Sequence, residues 1–213
     1  MNFQVGDIVK VYDEAEDNWF EGEILEVYDN GAMVEYETEY WRHVKTVKYQ
    51  YLKRVSMNRK EIWDLIYKVL DEVDPGKLGC TYYMYENEVK FEELLGKTID
   101  EIYGAEEGSD VILFRCRDNS VYVMYHEQDC CENVDINDIC GDINCLIGRP
   151  ILKAEEVVHV SGEENCPDSL DKYDSSYTWT FYTLATIKGY VTIRWYGESN
   201  GYYSERVALC KIK

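Results

Sequence analysis

The sequence predicts an α+β protein in two parts. A small β-barrel is expected over residues 1–55, a linker helix over 56–76, and an antiparallel sheet with one or two packed helices over 77–213. Three observations predict this. Short runs of branched and aromatic residues recur up to about position 55 and again after Thr98. One capped helical stripe separates the two sets. A second helical pattern interrupts the later strands at 135–147.

Ile8–Tyr12, Gly22–Tyr28 and Ala32–Tyr36 are the first strand runs. Asn30-Gly31 lies between the last two, and this dipeptide favours a type I′ turn, in which both central residues need positive φ. The intervening Asp13–Asn18 is too polar for a strand. The segment GDIVKVYDEAEDNWFEGEILEV, with VEY after it, resembles the Tudor and agenet group of SH3-like barrels over residues 3–55. That resemblance implies an aromatic cage for a methylated lysine or arginine, because ring faces attract a cation that has shed part of its water. By position its walls are Tyr12, Phe20, Tyr36 and Tyr40, with Glu37 and Glu39 adding negative charge. Glu37-Thr38-Glu39 stands where the group commonly has a glycine between the last two aromatics. The competing reading is that the rings fill a small core.

Residues 58–73 predict a helix. Ile62, Leu65, Ile66, Val69, Leu70 and Val73 form one apolar stripe. Asn58 and Glu61 have the spacing of a capping box, and Pro75-Gly76 is a stop signal. The stripe is expected to make the helix a strut between barrel and sheet. Tyr82, Tyr83 and Tyr85 fit an edge strand or a packed loop, and Phe91–Leu95 a short helical turn ended by Gly96. Val111–Arg117 and Val121–His126 flank a turn at Asp118-Asn119-Ser120. Ile151–Val160 is the next strand run, followed by an acidic loop at Ser161–Ser176. Tyr177–Ile187 and Tyr190–Tyr196 form a hairpin about Lys188-Gly189, and Tyr203–Lys211 follows the Asn200-Gly201 turn. In Asp135–Ile147, a helix capped by Asp135 would place Ile136, Ile139, Cys140, Ile143 and Ile147 on one face, with Gly148 and Pro150 as its end. Cys140 is then expected to point into a core.

Chemistry-bearing residues concentrate in Tyr125–Asp142, YHEQDCCENVDINDICGD. It holds one of three histidines and three of eight cysteines. Structural zinc favours C-x₂₋₄-C pairs, which bring two thiolates to one tetrahedral centre. His126, Cys130, Cys131, Cys140 and Cys145 do not have that spacing, so no metal is expected. His126 precedes Cys130 by four positions, the makings of a base and nucleophile, with no orienting residue or glycine-rich anion site beside them. The favoured reading makes Cys130 and Cys131 small buried residues under a loop, with no catalytic residue and no cofactor.

Forty-two acids against twenty-two bases give a net charge of −20. Such a field repels nucleic acid and anionic membrane and favours a basic protein surface; simple solubility is the competing explanation. The first residues enter a strand pattern at once and no apolar run reaches a membrane span. Reduced thiols and a cytoplasmic location are therefore expected. Twenty tyrosines against five phenylalanines suit strands with one wet face or a binding surface.

Two blocks, YHEQDCCE with DICGD, and TWTFYTLATIKGYVTIRWYGESNGYYSE, resemble a family of small proteins encoded by tailed bacteriophages and prophages, over residues 92–207. The family carries no known activity, so the resemblance implies origin, and host cytoplasm as the location. Its matching positions include Tyr125, His126, Glu127, Asp129, Cys130, Cys131, Glu132 and Asp142, taken as binding candidates. The expectation is a non-enzymatic accessory protein that binds a basic host or phage protein and not nucleic acid, in its sharpest form by mimicking the charge of nucleic acid. Alternatives are a ligand-binding module using the cage or a nucleotide pocket, a Cys/His hydrolase or metalloprotein, and a virion component.

Overall fold

In the computed structural model the described residues are 3, 5, 8–48, 52–54, 57–73, 84–163, 165–170 and 176–213. The chain divides into two compact units, Met1–Ser56 and Met57–Lys213. It is mainly β, which corrects the α+β expectation: three antiparallel sheets accompany a single α-helix longer than one turn among the described residues.

The first unit has five strands: β1 (Ile8–Asp13), β2 (Asn18–Tyr28), β3 (Gly31–Glu37), β4 (Arg42–Lys48) and β5 (Leu52–Arg54). Their order is β4-β3-β2-β1-β5. Alternation puts Val9 and Val11 of β1 and Ala32, Val34 and Tyr36 of β3 on one buried face. The β2–β3 hairpin is tight, but Tyr28 pairs with Gly31, so the loop is Asp29-Asn30. Neither of these has positive φ, so the expected type I′ turn is absent. Gly31 is needed for another reason. A Cβ there would lie 2.3 Å from the Val47 carbonyl oxygen, so glycine lets the β4 backbone come close. Sequence reading missed β4 because only Val47 among its residues reaches the core; its charged residues suit a solvated edge.

The second unit begins with α1 (Arg59–Val73). Its capping box is closed: the Glu61 amide donates to Asn58 Oδ1 at 3.1 Å and the Asn58 amide to Glu61 Oε2 at 2.8 Å. There follow β6 (Glu88–Val89), β7 (Ile99–Tyr103), β8 (Val111–Cys116), β9 (Val121–Tyr125), β10 (Glu132–Cys140), β11 (Lys153–Val160), β12 (Ser176–Thr186), β13 (Gly189–Ser199) and β14 (Ala208–Lys211). One sheet runs β6-β14-β9-β8-β7 and the other β10-β13-β12-β11. Phe91–Leu94 and Ile143–Leu146 are single 3-10 turns. The stop at Pro75-Gly76 and the pair Tyr82 and Tyr83 lie outside the described residues.

The β8–β9 sheet is covered on both faces. Ile112, Phe114, Tyr122 and Met124 point toward Tyr182, Leu184, Ile193 and Trp195 of the other sheet. Their neighbours Val111, Leu113, Val121, Val123 and Tyr125 point the other way, against Ile62, Ile66 and Val69 of α1. This double coverage explains why VILF and VYVMY are unbroken apolar runs in an antiparallel sheet. It also gives the helix stripe its partner, which is the sheet of its own unit.

The helix expected at 135–147 is not formed. Residues 132–140 are strand β10, paired with β13. The register shifts between Ile136 and Asp138, leaving Asn137 as an extra residue. Val134 and Ile136 are buried at strand spacing, and the bulge carries Ile139 back to the same core. An apolar spacing of two and then three imitates a helical stripe. Cys140 is exposed instead of buried in a core. Among the described residues no helix is long and apolar enough to cross a membrane.

Because Ile66 is fully buried between α1 and the sheet, Ile66→Ala is expected to cost about 2–5 kcal/mol in the unfolding of the second unit, measured by urea titration. Glu72→Ala, on the exposed face, is expected to stay within about 0.5 kcal/mol.

Candidate functional site

The chain passes from one sheet of the second unit to the other at residues 126–131, between the ends of β9 and β10. Such a crossing leaves backbone outside any ladder, and polar side chains satisfy it. His126 is buried, 5% exposed, and its Nδ1 donates to the Arg206 carbonyl at 2.9 Å. That bond places a hydrogen on Nδ1, and Nε2 is the nitrogen left to face the crossing. Nε2 faces Glu132 Oε1 at 3.7 Å, beyond hydrogen-bond reach. Glu132 is buried as well, 9% exposed; its Oε1 accepts from the Asp129 amide, and its carbonyl from the Gln128 side chain. Among the described residues His126 Nε2 and Glu132 Oε2 have no hydrogen-bond partner.

Two clefts of about 630 Å³ each flank this crossing and share Tyr125, His126, Glu127 and Gln128. The first is acidic: Glu88, Glu127, Asp129 and Glu132 line it with Tyr85 and Tyr203. Among its described lining residues the one guanidinium, Arg206, is already engaged, with both nitrogens on the Glu88 carboxylate and Nη2 at 2.7 Å from Oε2. The second cleft mixes Arg59, Lys60 and Asp64 with Trp63 and Tyr67 of α1. Here Arg59 is held by Asp110 at 2.6 Å. Behind the first cleft, buried Glu205 accepts from Thr178 and Ser199, each at 2.6 Å, tying the loop before β14 onto β12 and β13.

Of the candidates read from the signature, Tyr125, His126, Glu127, Asp129 and Glu132 share the first cleft. Burial holds the Tyr125 phenol far above its ordinary range, so it stays neutral. Cys130 and Cys131 are exposed rather than buried, their sulfurs 3.0 Å apart. Asp142 lies elsewhere and caps the 3-10 turn, accepting from the Asn144 amide at 3.0 Å. Cys140 meets Asp138 at 3.2 Å. Among the described residues no group of three His, Cys, Asp or Glu side chains is placed to hold a metal. Sequence reading missed Glu88, Tyr203 and Arg206, which come from distant segments and join the crossing only through the β14 pairing with β9 and β6.

Of the cage candidates of the first unit, Tyr12 and Tyr36 line one cleft with Asp13 and Lys45, and Phe20 stacks on Tyr36. Tyr36 is buried, and its hydroxyl donates to the buried carboxylate of Asp13. Its ring stacks on Phe20 and His43, with centroids 6.1 and 5.1 Å away. The Lys45 ammonium lies 5.7 Å from the same ring and 2.9 Å from Asp13. A cation of the chain itself thus already uses this ring and its carboxylate. Tyr12 packs on Trp19 at 5.3 Å, and Tyr40 is 73% exposed on the turn between β3 and β4.

Residues 92–209, more than half of the chain, match the model of a domain of unknown function, DUF7448, and the chain belongs to that family. Neither curated proteins nor solved structures return a match.

The hydrogen bond from Tyr36, with Lys45 after it, holds the Asp13 carboxyl well below the usual carboxylate range. A carboxyl depressed by folding contributes stability above its unfolded pKa of about 3.9 and loses it as pH falls through the folded value. Acid is therefore expected to loosen the first unit below about pH 4, and Asp13→Asn to remove that dependence while weakening the unit at neutral pH. Hydrogen exchange of the β1 and β3 amides checks both outcomes.

Proposed function

We propose that the protein is a non-enzymatic binding protein that takes a cationic segment of a partner protein in the acidic cleft beside His126. The observation that carries this is the charge of the lining. Among the described residues four carboxylates face the cleft, and the one guanidinium there is matched by Glu88. Surplus negative charge in a concave site focuses the field and draws in lysine and arginine side chains. Tyr85 and Tyr203 add ring faces for the same cations. The net charge of −20 extends the attraction beyond the cleft.

A role without catalysis fits the imidazole. One nitrogen is committed to a backbone carbonyl, and among the described residues no hydroxyl or thiol hydrogen-bonds to the other. The resemblance to phage-encoded proteins favours a partner in the infected host. In the sharpest form the partner is a host nucleic-acid-binding or defence protein, whose basic surface the acidic chain occupies in the cytoplasm.

The test is fluorescence anisotropy with a labelled arginine-rich peptide and the full chain. Binding is expected to weaken at least about tenfold as ionic strength rises from about 0.15 to 1 M, since the screening length drops from about 8 to 3 Å. The pair Glu127→Gln with Asp129→Asn is expected to weaken it about three- to tenfold at low salt. Tight direct binding of DNA or RNA by the chain sinks the proposal, and so does peptide binding indifferent to both changes.

A further inference from the structure

Cys130 and Cys131 stand apart from the other described thiols. They are adjacent, exposed and 3.0 Å apart at sulfur. Cys131 adopts φ of 61°, a left-handed conformation shared by only two other non-glycine residues among those described, Asp17 and Asn119. Asp17 and Asn119 are residue types that tolerate it, whereas cysteine has no such preference. The Cys131 carbonyl accepts from the Asn200 amide at 3.3 Å, fixing this residue to the start of the β10–β13 ladder. On the other side, Cys130 touches the Tyr203 hydroxyl, which lines the acidic cleft.

We propose that Cys130 and Cys131 are a vicinal dithiol that hydrogen peroxide closes reversibly into a disulfide, and that closure releases Glu132 from the Asp129 amide. The chemistry balances. One thiolate attacks a peroxide oxygen, breaking the O–O bond, expelling hydroxide and forming a sulfenic acid. The second thiolate attacks that sulfur and displaces hydroxide, which the protons lost by the two thiols convert to water. The net change is two thiols and one peroxide to one disulfide and two waters, with two electrons passing from sulfur to oxygen.

Local geometry explains why the bond is reversible. Adjacent Cα atoms lie about 3.8 Å apart, closer than the roughly 4.4–6.8 Å that a relaxed disulfide spans. Closing the ring therefore strains the intervening peptide, and strained, exposed disulfides are the readily reduced ones. Because Cys131 is pinned to Asn200, the adjustment falls on the Cys130 side, where the next residue is Asp129. Its amide is the donor that holds the Glu132 carboxylate. Charge selects the oxidant. Contact with Cys130 pushes the Cys131 thiol up, which slows its attack on any oxidant alike, whereas the nearby Glu132 and Asp129 repel only an anionic one such as oxidised glutathione. Neutral peroxide meets no such barrier. The consequence for the cleft rests on the binding role proposed above; the dithiol chemistry does not.

The test treats the reduced full chain with hydrogen peroxide and follows it by peptide mass and hydrogen exchange, with no partner present. The peptide carrying both cysteines is expected to lose two hydrogens, and dithiothreitol to restore them. The same concentration of oxidised glutathione is expected to act at least several-fold more slowly. Cys131→Ser is expected to abolish ring closure. Oxidation also should speed exchange of the Asp129 amide. Sulfonic acid on either cysteine, a bridge to Cys140, Cys145 or Cys166, or an unreactive pair overturns the dithiol assignment. An Asp129 amide unchanged by oxidation overturns the link to Glu132.

Discussion

A sheet that is dry on both faces governs the second unit. β8 and β9 cannot present a polar side chain on either side without burying it, so ten of their eleven residues are buried and Arg115 is the exception. Burial of this kind, at about 25 cal/mol per Å², is the main favourable term available to the unit. It requires a cover on each side. The β10–β13 sheet supplies one, and α1 the other. Neither cover is optional, since stripping either exposes a continuous apolar face.

The same requirement generates the candidate site. A chain that serves first the inner sheet and then the outer one has to cross between layers, and it does so between Tyr125 and Glu132. At the crossing the apolar alternation stops and the backbone needs polar company. His126 takes up the Arg206 carbonyl, and Gln128 the Glu132 carbonyl. The residues that make the crossing possible are therefore the ones that face the cleft. Structural need and binding surface coincide here, with His126 turned inward while Glu127 and Asp129 are exposed.

Much of this was legible in sequence where local chemistry decides. The capped stripe of α1, the apolar runs of β8 and β9, and the turns at Asp118-Asn119 and Asn200-Gly201 announce themselves through residue type. What local pattern hides is contact made elsewhere in the sheet. Periodicity is ambiguous when a bulge interrupts a strand, so β10 imitates a helix and its sequence points to α+β where the fold is mainly β. Asn30-Gly31 passed for a turn although Gly31 serves packing against Val47. The site was half legible. Its acids and histidine lie in one contiguous run, whereas Glu88, Tyr203 and Arg206 arrive by strand pairing, which leaves no local trace.

The buried Glu205 carboxylate has a further consequence. By accepting from Thr178 and Ser199 it sews residues 200–207 down onto two central strands of the outer sheet. Tyr203 and Arg206 are carried on that stretch. The ordering entropy of this wall, about 1–2 kcal/mol per residue for backbone alone, is thus settled during folding and not at the moment of association. That side of the cleft therefore behaves as a rigid template. An incoming chain meets an anvil on that flank and has to take its shape.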